Sequence, residues 1–312
     1  MPLTVWEGLR GALTTRALGL AAEHGVARAL LDGPRGVDEL AAGSGADPDV
    51  LYRVLRALAS EGIFVEVEPR VFANTEASAA MTEDGWDAFA RLFGGPWLHA
   101  VAGLDASGEA SFPRVFGDEF WSWLASHPDE RADFDRAMEQ NWQNRLERLE
   151  AVGLRGDETV VDVGGGNGSL LRALLDGHPE LCGIVFDLPE TVRDEASFGQ
   201  RLRFEEGSFF DRVPPGDVFV LSTILHDWPD DDARRILDTI RAAAAPASRL
   251  VLIEAVIQPG NEPSGAKWLD LLMLVIAGGR ERTEEQWRRL LESAGWEPVR
   301  FFESGAIEAR PN

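Results

Sequence analysis

Cysteine occurs once in the 312 residues, at Cys182, so no disulfide can form within the chain. It falls inside an apolar run and is expected to be a small buried hydrophobe. Lysine is equally scarce: Lys267 stands alone among 30 basic residues, which face 53 acidic ones and leave a net charge of −23. So anionic a surface repels nucleic acid and anionic lipid and argues against both as partners. Apolar runs never reach the roughly 18 residues of a membrane span. The start, Met1-Pro2-Leu3-Thr4-Val5-Trp6-Glu7, has neither the basic nor the apolar region of a signal peptide. A cytoplasmic protein is therefore expected. Five His and one Cys fall in no ligand spacing, so no metal is expected either.

What is present divides the chain into three expected parts: 1–105, 106–150 and 151–312. The first is rich in Ala, Leu and Arg and reads as mostly helical. Asp47-Pro48 starts a helix running to Ser60, with Val50, Leu51, Val54, Leu55 and Leu58 on one face. Residues 63–67 and 71–73 flank Glu68-Pro69-Arg70 as a small hairpin. Helix, turn, helix, hairpin is a winged-helix arrangement, whose usual reading is DNA binding. Residues 1–104 nevertheless carry eight Arg against fourteen Asp or Glu, where a DNA reader needs a basic face. A dimerisation or substrate-capping module is the better expectation. The connector 106–150 holds an aromatic stripe, Phe120, Trp121, Trp123, Phe134 and Trp142. It packs as core, or else Met138, Asn141 and Trp142 also line a pocket for a flat aromatic molecule.

From residue 157 strands alternate with helices: 159–163, 182–187, 202–205, 217–222 and 249–255, then a terminal hairpin of 296–303 and 306–309. This is an α/β open sheet, mostly parallel with one antiparallel strand, and such sheets bind ligands at the carboxyl ends of their strands. The first strand runs straight into Asp162-Val163-Gly164-Gly165-Gly166-Asn167-Gly168. An ordinary tight turn between strand and helix is one reading of it. A dinucleotide fingerprint wants glycine at its first, third and sixth positions, and the sixth here is Ser169. Asp162-x-Gly164-x-Gly166-x-Gly168 instead suits S-adenosylmethionine, which has no pyrophosphate to seat. His226 follows the strand 217–222, Glu254 closes 249–255, and Glu281 lies in a polar turn before the helix from Glu284. Singly these are ordinary charges; on one sheet rim they make an acid–base site.

Phe186-Asp187-Leu188-Pro189, Gly207-Ser208-Phe209-Phe210, His226-Asp227-Trp228 and Gly278-Gly279-Arg280-Glu281-Arg282-Thr283 stand in an order and spacing that resemble the caffeic-acid type of S-adenosylmethionine-dependent O-methyltransferase. The bacterial branch making aromatic polyketides and antibiotics is the nearer likeness, over essentially the whole chain. The resemblance implies a Rossmann-like catalytic domain and a winged-helix part that interlocks two subunits as a homodimer. It implies an aromatic hydroxyl as methyl acceptor, His226 as general base, and Glu254 and Glu281 flanking it. For the cofactor it implies Gly164 and Gly166 at the methionine end, Asp187 on the ribose, Ser208 and Phe209 at the adenine, and Ser222. Two departures stand out: many relatives have Asp where Ser208 is, and plant relatives have Lys where Ser222 is. On the helix 269–277, Asp270 and Met273 are candidates for the substrate wall, the alternative being a packed helix. Loss of methyl transfer, as in a hydroxylase or a cofactor-bound scaffold, and a small-molecule-sensing regulator are the competing functions.

Overall fold

A computed structural model describes residues 4–83, 85–139, 142–189 and 200–312. They form two compact units, 1–104 with 112–140 and 105–111 with 141–312. The segment 106–150 therefore contributes to both.

In the first unit, helix Val5–Glu23 starts at Thr4, whose hydroxyl accepts the Glu7 N–H while the Glu7 carboxylate accepts the Thr4 N–H. Helix Pro48–Ser60 starts where Asp47 caps it, and buries Leu51, Leu55 and Leu58. Val50, expected on that face, is 53% exposed. The hairpin of Phe64–Glu68 and Val71–Asn74 gains a short third strand, Arg35–Gly36, completing the wing. The aromatic stripe packs largely on itself and on Phe112, with Phe120 and Phe134 rings 5.7 Å apart and Phe112 and Trp123 rings 5.2 Å apart. Val5, Trp6, Leu9 and Leu13 stay exposed on the first helix.

The second unit is built on a seven-stranded sheet: β1 (Thr159–Val163), β2 (Cys182–Asp187), β3 (Leu202–Glu206), β4 (Val218–Ser222), β5 (Arg249–Ile253), β6 (Trp296–Phe301) and β7 (Ala306–Pro311). Their order is β6-β7-β5-β4-β1-β2-β3, and β7 alone runs against both neighbours, as the terminal hairpin led one to expect. The central strands are apolar on both faces because helices cover both. Leu170, Leu171, Leu174 and Leu175 of helix Ser169–Gly177 cover one side; Ile236, Leu237 and Ile240 of Asp230–Ala243 and Trp287, Leu290 and Leu291 of Glu284–Ser293 cover the other. Cys182 is exposed, not buried, because it is the first residue of β2 and precedes the covered stretch. No helix among the described residues is long and apolar enough to cross a membrane.

The chain winds from β1 outward through β2 and β3, then returns to place β4 on the other side of β1. That reversal opens a crevice at the carboxyl ends of β1 and β4. The glycine turn, Asp187, the turn after β3, Ser222 and Glu254 all emerge along this one edge.

Candidate functional site

After β1 the backbone takes left-handed conformations at Gly164 (φ 75°), Gly166 (φ 59°) and Gly168 (φ 76°), which side chains other than glycine's rarely tolerate. Among the described residues nothing beyond its chain neighbours lies within 4 Å of where a Cβ on Gly166 would stand. Asp187, ending β2, ties the turn to the next strand: one carboxylate oxygen accepts the Gly166 N–H at 2.8 Å and the other the Leu188 N–H at 2.7 Å. Both of its oxygens act as acceptors, and paired acceptors suit vicinal hydroxyls. Ser222, ending β4, has a buried hydroxyl with no hydrogen-bond partner among the described residues. Past β3, the Ser208 hydroxyl accepts the Phe210 N–H at 3.2 Å. Phe209 meets Trp228 edge-on at 5.9 Å. A glycine cradle, a paired-acceptor carboxylate, an orphan hydroxyl and a ring wall fit a nucleoside joined to an amino acid.

Asp162, within β1, is 2% exposed. Burial, reinforced by Asp187 and opposed by Arg145, pushes its carboxyl up to about 7. It sits beneath the glycine turn and was not singled out as a site residue from sequence.

The second half of the site hangs from β4 and β5. Thr223 has φ 55°, unusual for a β-branched residue, and bends the chain into the short 3-10 turn Leu225–Asp227. His226 is 7% exposed on this turn. Its Nδ1 lies 2.7 Å from Glu281 Oε1 and 3.6 Å from Glu254 Oε2, and its Nε2 lies 3.5 Å from Asp227 Oδ1. Glu254 also holds the turn itself, since its Oε1 accepts the Ile224 and Leu225 N–H groups at 3.0 and 2.8 Å. Burial by itself would lower the imidazole's proton affinity. Glu254, Asp227 and Glu281 outweigh it and push His226 up to about 10. Burial first, then repulsion from Glu281, raises Glu254 to about 7 against the pull of His226, and the same balance raises Asp227 to about 6.

Donor atoms of His226, Glu254 and Glu281 lie within 4.8 Å of one another, a grouping that could resemble a metal centre. The 2.7 Å Nδ1–Oε1 separation is a hydrogen-bond distance, shorter than the ~3.3 Å between two ligands of a tetrahedral zinc ion. As it stands, the cluster is arranged to share a proton. With Nδ1–H given to Glu281, a neutral imidazole presents Nε2 as an acceptor.

The structure thus brings together His226, Glu254 and Glu281 and, along the same edge, Gly164, Gly166, Asp187, Ser208, Phe209 and Ser222. The candidate substrate residues divide. Met273 is buried in helix Gly265–Ala277. Asp270 on that helix accepts the Glu281 N–H at 2.9 Å, a task inside the protein. Trp142 opens helix Trp142–Ala151 of the second unit, and Met138 lies near the end of helix Pro128–Glu139 of the first. Asn141 lies outside the described residues. Sequence reasoning passed over Asp227 as a neighbour of Nε2 and Arg282 altogether, although both sit inside motifs it had picked out.

An O-methyltransferase domain model matches residues 97–297, and an O-methyltransferase dimerisation domain model matches 6–84. A phenazine O-methyltransferase from Lysobacter antibioticus is 35% identical over 97% of this chain and 94% of its own length. The crystal structure of LaPhzM superposes with a TM-score of 0.92 at 34% identity, covering 99% of this chain and 98% of that one. An O-methyltransferase of neocarzinostatin biosynthesis, solved with S-adenosylmethionine and 2-hydroxy-5-methyl naphthoic acid, superposes with a TM-score of 0.82 at 28% identity over all of both chains.

Proposed function

The chain belongs to the S-adenosylmethionine-dependent O-methyltransferases, and on that footing we propose that its acceptor is a hydroxyl of a small aromatic secondary metabolite, phenolic, naphthoic or polyketide-derived, with His226 as general base. The buried Nδ1–Glu281 hydrogen bond carries this reading: it fixes the ring and makes Nε2 the acceptor in the neutral form. The phenazine and naphthoate named for the relatives support an aromatic acceptor.

Bound S-adenosylmethionine supplies an electrophilic methyl group on a cationic sulfur. In this chain the Gly164–Gly168 turn would hold its methionine end, Asp187 its ribose hydroxyls, Phe209 its adenine face, and the Ser222 hydroxyl, unpartnered among the described residues, would gain a partner. The chemistry left to the protein is removal of the acceptor's proton and alignment of its oxygen. His226 Nε2 takes that proton, and Glu281 and Glu254 stabilise the imidazolium so formed. In the free protein the carboxylates already favour imidazolium at neutral pH. An acceptor entering as phenolate onto imidazolium therefore has the same proton count as a phenol meeting neutral His226, and either route speeds up as pH rises.

The exposed face of Val5, Trp6, Leu9 and Leu13, within the segment resembling a dimerisation domain, supports a homodimer. The net charge of −23 supports a protein that binds neither nucleic acid nor anionic membrane, and the start segment without signal-peptide features supports a cytoplasmic one. Retention of the His226–Glu281 pair favours methyl transfer over a scaffold that has lost it. The test is transfer of labelled methyl to a panel of phenols, naphthols, carboxylic acids and amines by wild type and His226→Ala. The variant should bind S-adenosylhomocysteine as wild type does and turn over roughly 10²–10⁴-fold more slowly on phenols. Undiminished turnover would remove His226 as the base, and methylation confined to acids or amines would remove the phenolic acceptor.

A further inference from the structure

We infer that Arg282 is a positioning residue for methyl transfer: its buried guanidinium holds the turn that carries His226 and so sets where Nε2 stands. The inference rests on His226 being the base.

The turn Leu225–Asp227 is a single stretch of 3-10 helix, a geometry with poor internal hydrogen bonds that is seldom stable alone. Its backbone groups are held from outside. On the N–H side Glu254 accepts from Ile224 and Leu225. On the carbonyl side three consecutive residues grip it. The Arg280 N–H donates to the His226 carbonyl at 2.8 Å, Glu281 engages Nδ1, and Arg282 donates from Nη1 to the Leu225 carbonyl and from Nη2 to the Trp228 carbonyl, each at 2.9 Å. These two carbonyls bracket His226 in sequence. Arg282 Nε donates to Asp230 Oδ1, also at 2.9 Å, and the guanidinium lies 4.9 Å from the Trp287 ring centroid.

Only 1% of the Arg282 side chain is exposed. Burying a guanidinium is unfavourable, and an apolar side chain of similar volume usually packs as well or better. Its ion-pair partner Asp230 is 57% exposed, so that pair returns little. What an apolar side chain could not do is reach two carbonyls and a carboxylate at once, a task suited to the flat fork of arginine and not to the point charge of lysine. The fit against the turn is close: a Cβ on Gly279 would stand 2.0 Å from the His226 carbonyl oxygen. The chain segment bearing Arg282 is itself anchored by the parallel pairing of Arg282–Thr283 with Val256–Ile257, just beyond β5. That pair is a separate two-stranded sheet, reached from β5 through Glu254 and Ala255.

The experiment compares wild type, R282K, H226A and the double variant, reading kcat and KM for both substrates, S-adenosylhomocysteine affinity and Tm. R282K should lower kcat ~10- to 100-fold, as expected for a misplaced base, with KM for S-adenosylmethionine and product affinity unchanged. In the H226A background it should add no further loss, because only the placement of Nε2 is disturbed. The deficit should also shrink on an acidic phenol already ionised at the assay pH. Unchanged kcat, or an equal loss with and without His226, would overturn the inference. Should R282K fail to fold, Arg282→Gln decides in its place, since its shorter amide cannot hold both carbonyls: a kcat loss confined to the His226-containing background supports the clamp, and none overturns it. If H226A by itself leaves turnover intact, it is the base assignment that fails, a result distinguishable from failure of the clamp.

Discussion

His226 is ringed by more negative charge than one imidazolium neutralises. Glu281 lies at 2.7 Å, Asp227 at 3.5 Å and Glu254 at 3.6 Å, and together they overcome burial and push its pKa up to about 10. A base so strongly protonated at neutrality gains its competent form about tenfold per pH unit until the pKa is reached. For an acceptor with an ordinary phenolic hydroxyl, kcat/KM should therefore climb steadily from pH 6 towards 9. Glu254→Gln separates charge from geometry. Its amide oxygen can still accept the Ile224 and Leu225 N–H groups, while the charge that most raises His226 is gone. The climb should then level off at lower pH. A profile that stays where it was would mean that His226 is not the group being titrated.

At the scale of elements, the first helix poses the plainest question. Val5, Trp6, Leu9 and Leu13 are 71–81% exposed. Residues 5, 9 and 13 repeat every four positions and so share one side of the helix. A contiguous apolar face of this kind marks an interface. Light scattering should give twice the chain mass for wild type and the single chain mass for Leu9→Ser with Leu13→Ser; a monomeric wild type would sink the dimer. The strands of the second unit were legible because buried parallel strands are short apolar runs ending in polar residues, and the Gly164 turn because its glycines are needed for its φ angles. The edge on which Asp187, His226 and Glu254 converge followed from strand order. Arg282 was not legible: its partners, Leu225 and Trp228, lie more than fifty positions away, and nothing in an Arg beside Glu281 announces two carbonyl acceptors. Nor was the Asp270–Glu281 bond, which ties helix Gly265–Ala277 to the segment carrying Glu281. Cys182 was misjudged because a strand's first residue falls outside its covered stretch.

For the whole molecule, charge and burial act together on stability. Asp162 and Glu254 are raised to about 7 and Asp227 to about 6, from ordinary values of 3.8, 4.5 and 3.8. Between those limits the folded chain holds protons that the unfolded chain has released, so stability must fall as pH rises through that window. His226 acts in the same sense at higher pH. Its folded value of about 10 exceeds 6.5, so its contribution is fully present below pH 6.5 and is lost as pH climbs through 10. Each tenfold difference in proton affinity between folded and unfolded chains is worth ~1.4 kcal/mol, so even a part of these shifts is a large fraction of a domain's stability. Mutual repulsion within a chain of net charge −23 pushes the same way. Salt tells the two apart, because it screens exposed charges and scarcely reaches buried ones. In dilute buffer Tm should be higher at pH 6 than at pH 8.5. Adding salt to about 0.5 M, where the screening length is only a few ångströms, should narrow the difference without removing it. A Tm that rises from pH 6 to 8.5 at both salt concentrations would mean that these carboxylates are ionised and well paired in the folded protein, leaving His226 without the proton-rich surroundings inferred for it.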